Sequence, residues 1–239
     1  MQLSAINLYL TFKYQQLSTM KSLIISILFL LSVPAMAQSD RFYTTSGGEW
    51  IFSFADLTID GEQQGSVLRW SPVFNLHTYV HRDFSDNFGV YSGLGFRNVG
   101  FIADVPGSDD IRKKFRTYNV GIPIGIKIGR MNSSFFHFGY EFEVPFNYKE
   151  KTFENERKTD KFNVWFSGRT PTFYHSLHAG IQFYRGANLV FRYYLTNFFN
   201  KGFTETVDGE RKQPYENFDA NVFYFGLSFN LMKDRSFIY

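Results

Sequence analysis

The chain has 239 residues, with 25 Lys and Arg against 22 Asp and Glu, 30 Phe, 15 Tyr and no Cys. So even a charge balance gives no electrostatic footprint for nucleic acid, and the missing cysteine removes disulfides, thiolate metal sites and a lipid-acylated cysteine together. No Pro- or Ser-rich linker divides the chain beyond residue 40, which implies one domain.

Residues 20–37 read MKSLIISILFLLSVPAMA: one lysine, an apolar run from Leu23 to Leu31 broken only by Ser26, and small residues at Ala35 and Ala37. That is the pattern of a secretory signal peptide cleaved before Gln38, so residues 1–37 are assigned to the signal, with Met20 as an alternative start. A transmembrane anchor would need roughly 20 apolar residues, and here Pro34 closely follows a shorter run. Lys13 and Lys21 lie in this segment and no acidic residue does, so 23 of the 25 basic groups remain against 22 acidic ones.

After a short segment at 38–48, expected to be periplasmic, the pattern is period-2 alternation punctuated by Asn, Asp, Gly and Ser, the signature of strands. In chain order the predicted strands are 49–57, 67–81, 88–101, 116–129, 135–149, 173–184, 188–199 and 221–231, followed by a tail at 232–239. The fourth holds the clearest alternation, YNVGIPIGIKIG from Tyr118 to Gly129: large apolar residues take every second place, and Asn, Gly, Pro, Gly, Lys and Gly the others. Connections alternate in length. RDFSDN, RMNSS and RGA are short enough for hairpin turns, whereas TIDGEQQGS, ADVPGSDDIRKK, the stretch around EKTFENERKTDKFNVWFSGRTP, and NKGFTETVDGERKQPYENFD are long and polar. Short turns at one end and long loops at the other, behind an export signal, describe an all-β, eight-stranded antiparallel up-and-down transmembrane barrel in a Gram-negative-type outer membrane, with both termini on the periplasmic side.

The alternation also separates two faces. On the fifth strand Phe136, Phe138, Tyr140, Phe142, Val144 and Phe146 share one, and His137, Gly139, Glu141, Glu143, Pro145 and Asn147 the other. Alternation alone would equally suit a soluble lipocalin-like barrel with its apolar set inside. Volume decides for lipid outside: a lumen eight strands wide just holds packed side chains, and the second set is rich in glycine, with Gly121, Gly125, Gly139, Gly180 and Gly226 among it.

These features resemble the small bacterial outer-membrane β-barrel proteins of the OmpA/OmpX kind, and more closely the outer membrane protein beta-barrel domain, PorT-like. The YNVGIPIGIKIG strand is similar to that family's aromatic-x-x-x-Ile-Pro strand. Gly226 to Leu231 resembles the Gly-x-x-aromatic-x-apolar signal read by the barrel-assembly machinery, although MKDRSFIY follows it here. The resemblance implies outer-membrane lipid and lipopolysaccharide as surroundings and the assembly machinery as a partner during insertion, and it is compatible with secretion or envelope biogenesis. It does not specify a role, because the fold hosts many.

Candidate sites are few. Glu141 and Glu143 lie about 7 Å apart on the inward face; a carboxylate pair can do acid/base work, but Arg69, Arg97, Lys127 and Arg192 also fall on inward positions, so a structural lumen charge network is the expectation. His77 and His81 are about 13 Å apart on their strand, and His175 and His178 face opposite ways, which argues against a metal. His175 and Ser176 are adjacent and therefore diverge, so they do not form a nucleophile and base. No cofactor is expected. Within 145–175 the apolar residues Phe162, Val164, Trp165 and Phe166 interrupt a charged stretch; they are either a loop patch for a protein partner or an extension of the sixth strand. The leading expectation is a closed, side-chain-filled outer-membrane barrel acting as a structural or interaction component through its loops, and not an enzyme. A lipid-modifying enzyme in the same barrel and a soluble ligand-holding barrel are the alternatives.

Overall fold

A computed structural model describes residues 41–104, 111–207 and 209–234; the expected signal peptide, its cleavage site and the end of the expected tail lie outside the described residues. The strands are β1 (Arg41–Ile59), β2 (Glu62–Gln64), β3 (Ser66–Val67), β4 (Arg69–Ser71), β5 (Leu76–Asp83), β6 (Phe88–Asp104), β7 (Ile111–Gly129), β8 (Phe135–Glu154), β9 (Arg157–Trp165), β10 (Tyr174–Gln182), β11 (Ala187–Tyr194), β12 (Glu205–Val207), β13 (Glu210–Lys212) and β14 (Phe218–Asp234).

Antiparallel pairing runs β14 to β1, β5, β6, β7, β8, β10, β11 and back to β14, so the sheet closes into a ring of eight. Closure gives each of these eight strands a partner on both sides, which is the condition for a sheet to cross a membrane. Apart from β12 and β13, which pair with each other as a separate hairpin, the remaining pieces lengthen this ring. β9 and β10 are two halves of one side, since β9 pairs with Asn147–Glu154 of β8 and β10 with its Phe135–Glu143. Likewise β2 and β4 pair with β1, and β3 with β6, in line with β5.

Several expected boundaries shift for identifiable reasons. β1 begins at Arg41, because residues 41–48 pair with β5 from Arg41↔Asp83 to Gly48↔Leu76, and β14 reaches Asp234 against Thr44. Two stretches expected as long loops are instead tight hairpins. Asp60 and Gly61 have φ of 52° and 82°, Asn155 and Glu156 of 49° and 63°; paired positive φ values make the two-residue turn whose twist matches its strands. The second side is broken at Pro72–Asn75, where Pro72 offers no N–H and Phe74 has φ 63°. The seventh side ends at Tyr194 rather than Phe199. There the Asn197 amide donates to the Phe218 carbonyl at 2.8 Å and accepts from the Phe199 N–H at 3.1 Å, turning Phe198 and Phe199 off the wall.

Short turns at 84–87, 130–134 and 183–186 close one end of the ring, and the ends of β1 and β14 lie at that same end. Along β7 toward this end, Ile122, Ile124, Ile126 and Ile128 point outward and are about half exposed, Ile124 reaching 66 %. The residues between them are buried, Lys127 included. Toward the long-loop end the sense reverses. Phe115 and Thr117 are buried inside while Lys114 and Arg116 face outward, and a bulge at Tyr118/Asn119 against β8 separates the two regimes. The barrel wall is thus apolar outside in its short-turn half and apolar inside in its long-loop half.

Candidate functional site: a charged lumen beneath an aromatic head

In the short-turn half the inward residues are long and polar on some strands and glycine on their neighbours. A Cβ added at Gly121 would strike the Glu141 carboxylate, at Gly226 that of Glu49, at Gly125 the Tyr91 ring and at Gly139 the His178 ring. Glycine therefore supplies the volume that each buried polar side chain occupies. This lets a narrow barrel hold charge without a channel.

Four of the six residues expected to form the lumen network meet directly. Glu141, fully buried, is paired with Arg97 and, at 2.7 Å, with Arg192. Arg192 also lies 3.5 Å from Glu143 and donates to Ser176 Oγ at 2.8 Å. Glu143 accepts from the Tyr194 hydroxyl at 2.7 Å and from the Asn119 amide at 2.8 Å. A carboxylate that the sequence reading missed, Glu49 of β1, joins them 3.6 Å from Arg97 Nε, while Arg97 Nη2 donates to the Tyr79 hydroxyl at 2.8 Å.

The other two residues belong to separate groups. Arg69 has no carboxylate within reach among the described residues; its guanidinium donates to the Asn98 carbonyl at 3.1 Å, to Ser53 Oγ at 3.4 Å and to the Asn98 side-chain oxygen. Lys127 sits among residues of the short-turn end, paired with Asp83, donating to the Tyr43 hydroxyl at 3.0 Å and lying 4.9 Å from that ring. Asp83 was missed because the sequence places it inside a turn.

Histidines from different strands converge where the same-strand pairs cannot. The Tyr91 hydroxyl lies 2.5 Å from His178 Nε2 and 3.2 Å from His137 Nδ1, and His81 stacks on Tyr43 with centroids 4.7 Å apart. No group of three metal-binding side chains forms among the described residues. His175 points outward to the Tyr140 hydroxyl while Ser176 points inward to Arg192, so the adjacent pair diverges. The void left in this lumen, bordered by Glu49, His77, Tyr91, Arg97 and Arg192, is about 40 Å³. A water needs roughly 10 to 15 Å³ of such volume, so the space admits a few waters.

Above the charges lies an aromatic core. Phe101, Phe115, Tyr148, Tyr174 and Tyr194 project from the wall, and Phe198 and Phe199 fold in from the 195–217 connection. Phe199 stacks on Tyr215 at 4.3 Å and meets Phe115 edge-on at 5.1 Å, while the Tyr174 hydroxyl donates to the Phe198 carbonyl at 2.7 Å. Sequence reading could find this second plug only through the doubled Phe198-Phe199, which breaks period-2 alternation. The expected loop patch divides at this core. Phe162 and Val164 pack against it, and the Arg169 guanidinium covers Phe162 at 4.5 Å. Trp165 and Phe166 are 63 % and 78 % exposed. Over the core, Phe115, Phe162, Arg169, Glu150 and Tyr215 line an open cup of about 350 Å³.

No family model and no curated protein matches the chain. Solved structures do. It is similar to Ail, the attachment invasion locus protein of Yersinia pestis, in complex with the heparin analogue sucrose octasulfate: 10 % identity, TM-score 0.36, covering 80 % of this chain and 99 % of that one. It is also similar to Neisserial surface protein A, at 9 % identity and TM-score 0.37, covering 80 % and 97 %. A third is the outer membrane protein OprG from Pseudomonas aeruginosa, at 11 % identity and TM-score 0.34, covering 79 % and 96 %.

Proposed function

We propose that this chain is an integral outer-membrane barrel that conducts no solute and carries a rigid binding head at its long-loop end, with both termini in the periplasm. The observation that supports this most is the reversal of the wall. Exposed Ile, Leu and Phe on the short-turn half would cost too much apolar surface in water, and buried charges in its lumen would cost roughly 2 to 4 kcal/mol each if turned to lipid instead. Above that half, aromatic side chains fill the interior and polar ones cover it, as in a protein that stands in water. The soluble-barrel alternative describes only this upper half.

A head braced by its own core is suited to presenting a fixed surface, and Trp165 and Phe166 are large exposed apolar groups at its foot, level with Tyr118 of β7. They are the proposed contact for a protein partner, and the PorT-like resemblance directs the search to secretion and envelope biogenesis. Removing all of 162–166 would tear Phe162 and Val164 from the core, so the test uses a photocrosslinker at position 165 or 166 in intact cells. A discrete adduct from these positions, and none from the opposite wall at position 56, is expected. Equal background from both positions refutes the contact.

A further inference from the structure

The outward face of β7, β8 and β9 in the long-loop half carries cations in register. Lys114, Lys151 and Lys161 stand directly across from one another on the three strands, and Arg116 stands across from Lys149 in the next row toward the short turns. Like charges facing each other across strands oppose folding, and among the described residues the nearest acidic groups are engaged elsewhere. Glu150 is turned inward to Lys113 at 2.9 Å, and Asp104 is taken by Arg112 at 2.9 Å. Arg116 Nε is shut off from solvent with no acceptor among the described residues. An anion outside the chain would relieve this repulsion.

Two further features say what that is. Below the cations lies an aromatic girdle: Phe146 stacks on Trp165 at 5.8 Å, and Tyr118 meets Phe74 at 5.9 Å. Aromatic girdles mark the level of lipid headgroups. Arg116 and Lys114 are two and four residues beyond Tyr118 on the same face, hence about 7 and 13 Å further out by strand rise. The cations are also one-sided. β14 and β1 stand across the ring from β7 and β8, and their outer halves carry Asp219 and Asp56, the former paired with Lys201 at 2.6 Å.

We propose that Lys114, Arg116, Lys149, Lys151 and Lys161 form a binding face for the phosphate groups of anionic lipids in the leaflet at the long-loop end. The face looks sideways along the membrane rather than up from the mouth, so an occupant must stand upright beside the barrel wall, as a lipid headgroup does and a soluble polymer does not. The row of three lysines crosses two strand spacings, about 10 Å, enough to engage more than one phosphate. This assignment rests on the lipid-embedded reading above.

The test measures lipid retained by the chain folded in zwitterionic detergent, using native mass spectrometry with a bisphosphorylated glycolipid and the same lipid after dephosphorylation. The native chain is expected to retain the phosphorylated form selectively. K114Q, R116Q, K149Q and K151Q are each expected to lose about fivefold, the factor for one cation near an anionic surface, while D56N on the far wall loses nothing. Heat-modifiable migration on gels verifies that each variant is folded; these substitutions on half-buried, outward-facing side chains relieve repulsion. Unchanged retention when K114Q, R116Q, K149Q and K151Q are combined in one chain, equal retention of the dephosphorylated lipid, or binding of a sulfated polymer in place of the lipid overturns the proposal. A chain that stays in the soluble fraction overturns the membrane reading itself, whereas one that inserts without discriminating overturns only the phosphate site.

Discussion

Removing Glu141 and removing Arg192 should have unequal costs. Three carboxylates, Glu49, Glu141 and Glu143, share two guanidiniums, Arg97 and Arg192, all buried. Glu141→Gln deletes the central charge but leaves each guanidinium a carboxylate of its own, Glu49 at 3.6 Å and Glu143 at 3.5 Å. Its cost should sit near the low end for a broken buried pair, about 3 kcal/mol. Arg192→Met instead leaves Glu143 with only the hydroxyl of Tyr194 and the amide of Asn119, and Ser176 without its donor. That substitution should reach the upper end, about 5 kcal/mol. Combining Glu141→Gln with Arg192→Met should cost less than the sum by more than about 1 kcal/mol, because the two side chains share one network. The assay is reversible urea unfolding of the barrel in detergent, with free energies taken from the midpoint and slope. Equal midpoints for native and Glu141→Gln chains, or a Glu141 variant less stable than the Arg192 variant, would refute the reasoning.

Other substitutions probe the rest of the wall. Phe199→Ala should cost about 3 to 5 kcal/mol by emptying the space between Phe115 and Tyr215, yet planar-bilayer conductance should stay at baseline, since the charged lumen below still holds only a small void. Ile124→Lys, on the exposed aliphatic row, should cost about 2 to 4 kcal/mol in a bilayer, measured by the same unfolding; a neutral result would deny that this row meets lipid. Above the girdle, burial first, then Arg69, Arg116 and Lys151, pull the Lys114 amine down to about 8, with Ile102 its partner on β6. Lys114 is a cation below that value and neutral above it, so retention of phosphorylated lipid should fall between about pH 7 and about pH 9, and K114Q should flatten that fall.

The short-turn half was legible in the sequence because one rule governs it. In YNVGIPIGIKIG the period of 2 fixes the faces, and volume then sends Ile outward and Gly and Lys inward. What could not be read was height. Six inward charges were assigned to one network, but the relative register of tilted strands decides which of them meet. That register separates Arg69 and Lys127 from the pair Glu141 and Arg192, and brings Glu49 in from a strand end whose faces were never assigned. His81, His137 and His178 illustrate the same gap, since spacing along one strand says nothing of neighbours on the next. The long-loop half was hidden for another reason: Asp60-Gly61 and Asn155-Glu156 turn charged stretches into hairpins, and beyond the Tyr118/Asn119 bulge the apolar side chains turn inward and the charged ones outward, a reversal of the assignment that serves below it.

That reversal is the centre of the account, and the cysteine-free chain allows it to be measured directly. Single cysteines at 122, 124 and 126 and at 149, 151 and 161 are to be exposed, on intact cells, to a membrane-impermeant maleimide. Rapid labelling at 149, 151 and 161 with protection at 122, 124 and 126, and loss of that protection only when detergent replaces the bilayer, is the predicted outcome. Labelling of both sets at equal rates on intact cells would contradict it.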